Sequence, residues 1–307
     1  MTQEFGLLSP FDQEGTLSRM LQDFFKLNAP YDRFETADQL IDHFRRSDDL
    51  RNIWYVPDEL SPDRPQNTFR DKHFTNVSFT KTVIRRVTFT RCTFTDCLFI
   101  GTAFQNCEFH DCIFIDCNPY KCSFTRTYLD PASFARMLSR KTHSNIGVYL
   151  FSQLLFNSAE MHQHDFEATA DYHFRRWRRF QLVYDYRRKK MSAFQFVKRW
   201  VPDMMYFAFA GYGYRGSFFA CWTLALFVIL VAINHRFVTD FSVNGMSHEQ
   251  SNSLIYSLYQ TITNLTALGS NAIPATYRGM VLLALESLVG VVWLATLASI
   301  IVRKVVR

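Results

Sequence analysis

Residues 103–114 read Ala103-Phe104-Gln105-Asn106-Cys107-Glu108-Phe109-His110-Asp111-Cys112-Ile113-Phe114. Phenylalanine returns at every fifth position here, and the same spacing runs from Phe69 to Leu129. The large residues at this spacing are Phe69, Phe74, Phe79, Ile84, Phe89, Phe94, Phe99, Phe104, Phe109, Phe114, Phe124 and Leu129, and Pro119 is the one misfit. A period of five matches neither an α-helix nor a flat strand. It predicts a solenoid whose backbone turns one face every five residues and directs each large side chain to a common axis.

Six cysteines share one position within this repeat. Cys92, Cys97, Cys107, Cys112, Cys117 and Cys122 each lie two residues before a five-residue position. Because cysteine packs as a small hydrophobic residue, we predict a buried column of reduced thiols. Spacings of five and ten do not match the close cysteine pairs of zinc sites, so we predict no metal and no other cofactor. Cys221 lies in an apolar helix and is expected to serve packing.

The segment quoted above resembles pentapeptide repeats. That resemblance implies a right-handed quadrilateral β-helix with about four repeats per coil. The periods between residues 69 and 129 then make roughly three coils, stacked at a strand spacing of ~4.8 Å. The resemblance therefore implies a short plug and not a long rod.

The sequence on either side of the repeats predicts further domains. Residues 1–60 are expected to form a small helical cap, because Thr36-Ala37-Asp38-Gln39 before Leu40 has the pattern of a capping box. Residues 61–68 are predicted to be a linker, and residues 130–213 a helical hairpin that continues as a basic amphipathic linker. Residues 214–307 form the last predicted domain. The start of the chain has neither the basic nor the apolar part of a signal peptide, so we expect the N-terminal half in the cytosol.

The net charge of +6 is unevenly spread along the chain. Between residues 171 and 200, Asp171 and Asp185 oppose a run of cations that includes Arg175, Arg176, Arg178, Arg179, Arg187, Arg188, Lys189 and Lys190. Aromatic residues such as Trp177 and Trp200 interleave with them. This pattern predicts an interfacial helix with its cations at lipid headgroups. Contact with nucleic acid or with other protein surfaces is the alternative interpretation of the same pattern.

Two apolar runs follow the basic stretch. Residues 217–234 carry no formal charge, and residues 279–302 carry only Glu286. At ~1.5 Å per residue, each run is about long enough for a ~30 Å hydrocarbon core. Basic residues precede the first run, and Arg303, Lys304 and Arg307 follow the second. The positive-inside rule therefore predicts an inner (plasma) membrane protein with both termini in the cytoplasm.

The segment between the two runs has a pattern of its own. Leu254, Ile255, Leu258, Tyr259 and Ile262 form a helical stripe that is too short to span a membrane. An irregular stretch from 263 to 274 follows it. Irregular backbone is tolerated at membrane depth only where it is buried in protein or lines a wet cavity. The order of span, re-entrant helix, loop and span is typical of a pore-loop channel.

Residues 217–304 resemble the pore of two-transmembrane potassium channels in order and length. The run Pro274-Ala275-Thr276-Tyr277-Arg278-Gly279-Met280 resembles the family segment Pro-x-Thr-x-x-Gly-Arg, with Met280 in place of the arginine. Counting back without gaps places the selectivity filter on Thr266, Ala267, Leu268, Gly269, Ser270 and Asn271. The same alignment puts Gly290 at the hinge of the inner helix, which Leu294 and Leu297 would line as an apolar gate.

The whole chain resembles pentapeptide-repeat-containing pore-loop ion channels. It has the repeat block, a helical linker, Gly211-Tyr212-Gly213 and then the pore-like region, in that order. This resemblance implies a homotetramer around one axis, since one two-span subunit cannot enclose a pore. The cytosolic domains would sense an unknown ligand or protein.

The filter departs from the potassium-channel pattern. Leu268 and Ser270 occupy the two glycine positions, and Asn271 replaces an acidic residue. A stack of carbonyls aimed at the axis needs glycine at positive φ, where leucine is strained. We therefore expect a wider filter that conducts monovalent cations, K⁺ and/or Na⁺, with weak discrimination between them.

Glu286 is the only carboxylate in the second run. A carboxylate at membrane depth is a functional candidate. The alternative, which we favour, is that Glu286 braces the pore helix by hydrogen bonding to a Tyr or Thr behind the filter.

Other classes of protein fit the sequence less well. No nucleophile–base pair or phosphate-binding glycine loop is recognisable, so we do not expect an enzyme. His162 and His164 form a weak metal motif that suits a solvated helix end. Basic residues such as Arg85 and Arg91 interrupt the acidic face that a DNA mimic needs. The remaining alternative is a membrane-anchored scaffold or signalling protein whose repeats bind a protein partner.

Overall fold

The computed structural model describes residues 24–63, 67–135, 137–214, 216–238, 241–243, 254–266 and 272–305. The chain forms two compact units, Met1–Val201 and Pro202–Arg307. The predicted filter residues Ala267, Leu268, Gly269, Ser270 and Asn271 lie outside the described residues.

The first unit is built on parallel sheets of short strands. The strands are β1 (Asp32–Phe34), β2 (Asp49–Tyr55), β3 (Glu59–Leu60), β4 (Thr68–Arg70), β5 (His73–Ser78), β6 (Val83–Arg85), β7 (Thr88–Thr90), β8 (Thr93–Thr95), β9 (Ala103–Gln105), β10 (Glu108–His110), β11 (Ile113–Ile115) and β12 (Ser123–Thr125). Their sheet orders are β1-β2-β5-β8-β11, β10-β7-β4 and β12-β9-β6-β3. A further column of parallel bridges joins Ser78 to Leu98 and Leu98 to Asn118.

The register of these ladders follows from the five-residue period. Phe74 pairs with Phe94, and Phe94 pairs with Phe114, so partners lie 20 residues apart. Phe89 pairs with Phe109 at the same offset. Four five-residue repeats therefore separate neighbouring strands of one sheet, and each large residue stacks on its equivalent one turn later.

The core of the first unit is a set of stacked rings. The ring centroids of Phe74 and Phe94 are 4.5 Å apart, and those of Phe94 and Phe114 are 4.9 Å apart. Both pairs are nearly parallel, and parallel rings offset along the ladder combine dispersion with full burial. Pro119, the misfit of the period, is also buried. It therefore takes an interior position like the phenylalanines.

The six repeat cysteines are buried beside these rings, as predicted. Five of the thiols, all but that of Cys122, donate to backbone carbonyls of the previous turn; Cys92 Sγ, for example, donates to the Phe69 oxygen at 3.4 Å. Burial raises the pKa of Cys107 to about 11 and also raises the pKa of Cys122. The thiols of Cys107 and Cys122 are therefore poor nucleophiles. Cys221, in contrast, is exposed on a helix of the second unit, so the expectation that it serves packing is not met within this chain.

Every fifth residue of the repeat region has a positive φ, a feature that the sequence analysis missed. The series is Asp71, Asn76, Lys81, Arg86, Arg91, Asp96, Gly101, Asn106, Asp111, Asp116, Lys121 and Arg126. These residues turn the chain between consecutive strands, and successive members of one corner lie 20 residues apart. Asp and Asn tolerate this conformation better than most residues, but Lys and Arg also adopt it here. The ladders on both sides of each corner hold it in place.

The N-terminal cap contains more strand than predicted. Helix α1 (Ala37–Arg46) begins with the expected capping box, in which Thr36 and Gln39 bond each other's backbone. However, β2 pairs in parallel with β5 and extends the first sheet, and β1 pairs with β2. The expectation of a purely helical cap was wrong. The alternation of buried Ile53 and Tyr55 with exposed Trp54 in β2 was the overlooked signal.

Two helices follow the last strand of the repeats. They are α2 (Ser144–Glu160) and α3 (His164–Arg187), after a short 3₁₀ turn at Pro131–Phe134. Asn157 of α2 bonds both the backbone N–H and the carbonyl of Thr127, at 2.9 and 2.7 Å. A Cβ added at Gly147 would lie 2.3 Å from the Trp177 ring, so glycine permits the close contact of α2 with α3.

The second unit is mainly helical. It contains the end of α4 (Ala193–Ala210), a turn at Gly211–Gly213, α5 (Gly216–Arg236), α6 (Leu254–Leu265) and α7 (Tyr277–Val305). Strands β13 (Phe241–Val243) and β14 (Ala272–Pro274) pair antiparallel. Two segments, Ser217–Arg236 and Tyr277–Ser299, are long and apolar enough to cross a membrane.

Candidate functional site: a short helix held between two apolar helices

Helix α6 has its polar side buried and its apolar side exposed. Ser257, Gln260, Thr261 and Asn264 are buried, whereas Ile255 is 78% exposed and Tyr259 is 49% exposed. A helix on the surface of a water-soluble protein has the opposite arrangement. Its polar groups must find partners inside the protein because an apolar surrounding offers none. The arrangement therefore fits a helix whose outer surface meets lipid or another apolar surface.

A polar cluster of Asn234, Thr261, Asn264 and Glu286 joins three helices. The Nδ2 of Asn234, on α5, donates to Glu286 Oε1 at 2.8 Å and to Thr261 Oγ1 at 2.9 Å. The Nδ2 of Asn264, on α6, donates to Glu286 Oε2 at 2.6 Å. All four side chains are buried. Each carboxylate oxygen of Glu286 thus has an amide donor from a different helix.

The structure gives Glu286 different partners from those expected. We predicted a bond to a Tyr or Thr, and the donors are Asn264 and Asn234. A buried carboxylate is costly without such donors, and a charged acceptor strengthens each bond. The signal available in the sequence was an asparagine at the end of an apolar run and another on the short helix. The local sequence around each asparagine did not indicate that its side chain pairs with Glu286.

Amide atoms of Gln260 and Asn234 without a hydrogen-bond partner among the described residues lie in the same interior. Both amide atoms of Gln260 and the Oδ1 of Asn234 are buried, and they have no hydrogen-bond partner among the described residues. Unpartnered buried amides are rare in proteins. The interior behind α6 is therefore more polar than the apolar helices around it.

Gly290 lies where α7 meets the end of α6. A Cβ at this position would be 2.5 Å from the carbonyl oxygen of Leu265 and 2.9 Å from its Cα. These are backbone atoms, which cannot rotate away as a side chain can. Glycine at 290 is therefore required by close packing in this conformation, and its predicted role as a hinge stays a prediction. Leu294 and Leu297, the other predicted gate residues, are exposed on α7.

Trp293 fixes α7 against α5, a contact that sequence reasoning missed. Its ring stacks on Phe219 with centroids 4.6 Å apart, and its Nε1 donates to Thr223 Oγ1 at 3.1 Å. Buried tryptophans usually find a partner for the indole N–H in this way. The two apolar helices therefore have a specific contact in addition to the polar cluster.

Thr266 is the one predicted filter residue within the described chain. It follows α6 directly, its N–H and hydroxyl both donate to the Ile262 oxygen, and its side chain is exposed. Strand β14, which precedes α7, pairs with β13 and places Phe241 opposite Pro274. At the start of α7, Thr276 Oγ1 accepts from the Gly279 N–H at 3.1 Å. The threonine of the Pro-x-Thr-x-x-Gly segment thus caps α7.

The predicted basic surface divides into two parts. Arg187, Arg188, Lys189 and Lys190 are exposed at the end of α3. Arg175 forms an ion pair with Asp171, and Arg176 and Arg178 lie over Phe180 and Phe174. Arg179 is buried in the first unit, so its side chain does not lie on the exposed face that lipid contact requires. The lipid-facing prediction is therefore confined to the exposed part.

The turn before α5 is a compact corner. Gly211, Tyr212 and Gly213 have φ values of 52°, 60° and 81°. Tyr212 is fully buried, and its hydroxyl donates to Asp203 Oδ2 at 2.7 Å. A bulky residue with positive φ is an outlier that its surroundings must hold in place. This corner fixes the direction in which the chain enters α5.

The described residues contain no group of three or more His, Cys, Asp or Glu side chains that could hold a metal ion. No family model, curated protein or solved structure matches the chain.

Proposed function

We propose that this chain is the subunit of a homotetrameric ion channel in the inner (plasma) membrane. The observation that carries the proposal is the position of α6. This helix is too short to span a bilayer, its apolar side is outermost, and buried hydrogen bonds to Asn234 and Glu286 hold it between two helices of spanning length. An anchor requires only the two long helices. A short helix fixed between them is useful for supporting a re-entrant loop.

In this proposal the second unit is a two-transmembrane pore-loop domain with α6 as its pore helix. Thr266 to Asn271 form the filter at the C-terminal end of α6, Gly290 is the hinge of the inner helix, and Leu294 and Leu297 form its apolar gate at the pore. The exposed apolar side chains of α6 and α7 support this assignment, because four copies around one axis would cover part of that surface. The permeant ions are monovalent cations, K⁺ and/or Na⁺.

The first unit is, in the same proposal, a cytosolic right-handed quadrilateral β-helix of pentapeptide repeats. The 20-residue register and the left-handed residue at every fifth position support that finer description. The exposed cations Arg187 to Lys190 contact anionic lipid headgroups. The cytosolic unit would sense a ligand or a protein and act on the pore.

A conductance measurement on the full chain tests the proposal. Purified protein in planar bilayers should give reversal potentials that follow K⁺ and Na⁺ gradients and ignore a Cl⁻ gradient. Native mass spectrometry in detergent should show four copies. Gly290→Val should abolish the current because its side chain meets the Leu265 backbone, whereas Ala298→Val on the exposed part of α7 is the matched control. A folded chain without current, or a stable monomer, would favour a membrane-anchored scaffold instead.

A further inference from the structure

The first unit contains a cleft lined by two aspartates, Asp96 and Asp116, that lie on neighbouring turns of the repeat region. The cleft has a volume of about 420 Å³, and its lining includes Lys26, Asp96, Asp116, His143, Leu98 and Met137. Clefts of this size accommodate small organic molecules. All of its lining residues belong to the first unit.

The corner residues show why the two aspartates are unusual. In one column of corners, 20 residues apart, the signs alternate as Asp71, Arg91 and Asp111. Arg91 bonds both carboxylate oxygens of Asp71 at 2.7 Å, which lowers the pKa of that aspartate. In the next column the order is Asn76, Asp96 and Asp116, so two carboxylates follow each other with no cation between them.

Like charges stacked on neighbouring turns repel each other. Neighbouring turns are about 4.8 Å apart at strand spacing, so one ammonium group can contact both carboxylates. Among the described residues, no Lys or Arg nitrogen lies within ion-pair distance of Asp96 or Asp116. Burial and the Asp116 charge both raise the pKa of Asp96 above its usual value. The repulsion is therefore not relieved within the described chain.

A histidine on the same cleft has an unused hydrogen-bonding atom. His143 is about nine-tenths buried, its ring stacks on Phe24 with centroids 3.9 Å apart, and its Nδ1 lies 3.2 Å from Thr142 Oγ1. Its Nε2 is buried and has no partner among the described residues. Burial lowers the pKa of His143, so the imidazole is neutral near pH 7. His143 therefore adds a polar group, but no positive charge, to the wall of the cleft.

The chain from Phe24 to Asn28 lines the cleft, and the amide side chains of Asn118 and Asn76 hold it there. Asn118 Nδ2 donates to the Phe24 oxygen at 2.7 Å, and Asn76 bonds both backbone groups of Asn28 at 2.8 and 2.9 Å. These bonds attach Asn28 to the corner column that contains Asp96 and Asp116, and Phe24 to the neighbouring column of Ser78, Leu98 and Asn118. The wall of the cleft is therefore tied to the repeat region by side-chain hydrogen bonds.

We propose that this cleft binds a small organic cation, a primary amine with an apolar or aromatic body. The ammonium group lies between Asp96 and Asp116, the body packs along the cleft on Phe24 and Leu98, and His143 is part of the wall beside it. Asp96 and Asp116 contribute two negative charges to the lining, and Lys26 contributes one positive charge. The net charge of −1 fits a monovalent cation. Binding does not depend on the proposed channel; only the role of the amine as a gating ligand rests on that proposal.

The test compares two probes with the same body and opposite charges, 2-phenylethylamine and phenylacetate, by calorimetric titration of the full chain in detergent. Only the amine should bind, and Asp96→Asn with Asp116→Asn should weaken it by about ten-fold or more, since two charge-assisted contacts are lost. Asp111→Asn, at an exposed corner of the neighbouring column, is the matched control and should bind like the wild type.

Equal binding of the two probes, or unchanged binding by the double variant, would overturn the proposal. So would an equal loss in Asp111→Asn, because that would show a general charge effect. Lys26→Met should strengthen amine binding, and a loss of binding in that variant would also contradict the site. Because ion flux is not measured, these outcomes are separate from success or failure of the channel proposal.

Discussion

The repeat region and the second unit are stabilised in opposite ways. In the repeat region, equivalent contacts recur every turn: a backbone ladder, a stacked ring and a buried thiol. In the second unit, a few contacts that occur once each hold the helices together, namely the polar cluster, the Trp293–Phe219 stack and the Gly290–Leu265 approach. Loss of one repeated contact leaves its equivalents on the neighbouring turns in place. A contact that occurs once makes its helix depend on particular residues.

The largest effect is expected from removing a central ring of the repeat region. Phe104→Ala should reduce local stability by about 3–5 kcal/mol, because Phe104 is buried and stacks on Phe124 with centroids 5.4 Å apart. Hydrogen exchange of the backbone amides in β9 and β12 of the full chain measures this loss. Ile115→Ala, at a partly exposed position of β11, is the control and should cost much less. If both changes have equal effects, the stacked core is not the main source of stability.

A change in the polar cluster tests whether the second unit depends on contacts that occur only once. Glu286→Leu removes the acceptor for two amides, which leaves Asn264 without its carboxylate partner and Asn234 with Thr261 as its acceptor, at a cost of about 2–4 kcal/mol. Exchange should rise in α6 while the repeat strands keep their protection. Glu286→Gln retains one acceptor and should lie between this variant and the wild type. Loss of protection in both units together would mean that they unfold as one.

The rate at which one reagent labels the thiols of each unit provides a third comparison. Raising the pKa of Cys107 from 9.0 to about 11 lowers its thiolate fraction about a hundred-fold at pH 8, and burial blocks access as well. A membrane-permeable maleimide should therefore label Cys221 first in the native chain in detergent, and all seven thiols only after denaturation. Rapid labelling of Cys107 and Cys112 would place that column on the outside.

The smallest expected effect concerns the choice between cations. With Leu268 and Ser270 at the glycine positions, a K⁺/Na⁺ permeability ratio within about ten-fold is expected, which corresponds to roughly 1.4 kcal/mol or less. Reversal potentials under mixed gradients give the ratio. Leu268→Gly with Ser270→Gly should shift preference toward K⁺. A wild-type reversal potential that follows K⁺ alone would contradict this expectation, and one at the chloride potential would exclude a cation channel.

The same contrast explains what the sequence could predict. The five-residue period fixed the interior positions of the phenylalanines and cysteines, because periodic burial leaves a periodic pattern. It did not indicate the left-handed corners, since Lys81 and Arg91 adopt a conformation that their residue types disfavour. In the second unit, composition was sufficient to locate the long helices and α6. The pairing of Asn234 with Glu286 joins residues 52 positions apart and leaves no local pattern.

The buried polar side of α6 also constrains the order in which the second unit can be completed during synthesis. Its two amide-to-carboxylate bonds need Asn234, which precedes α6 in the chain, and Glu286, which follows it. Until the ribosome has produced the first turns of α7, the Asn264 amide has no carboxylate to meet, and an apolar surrounding offers no substitute. In a chain that inserts into a membrane, α6 would therefore wait near the water interface and take its final place last, after both long helices are available.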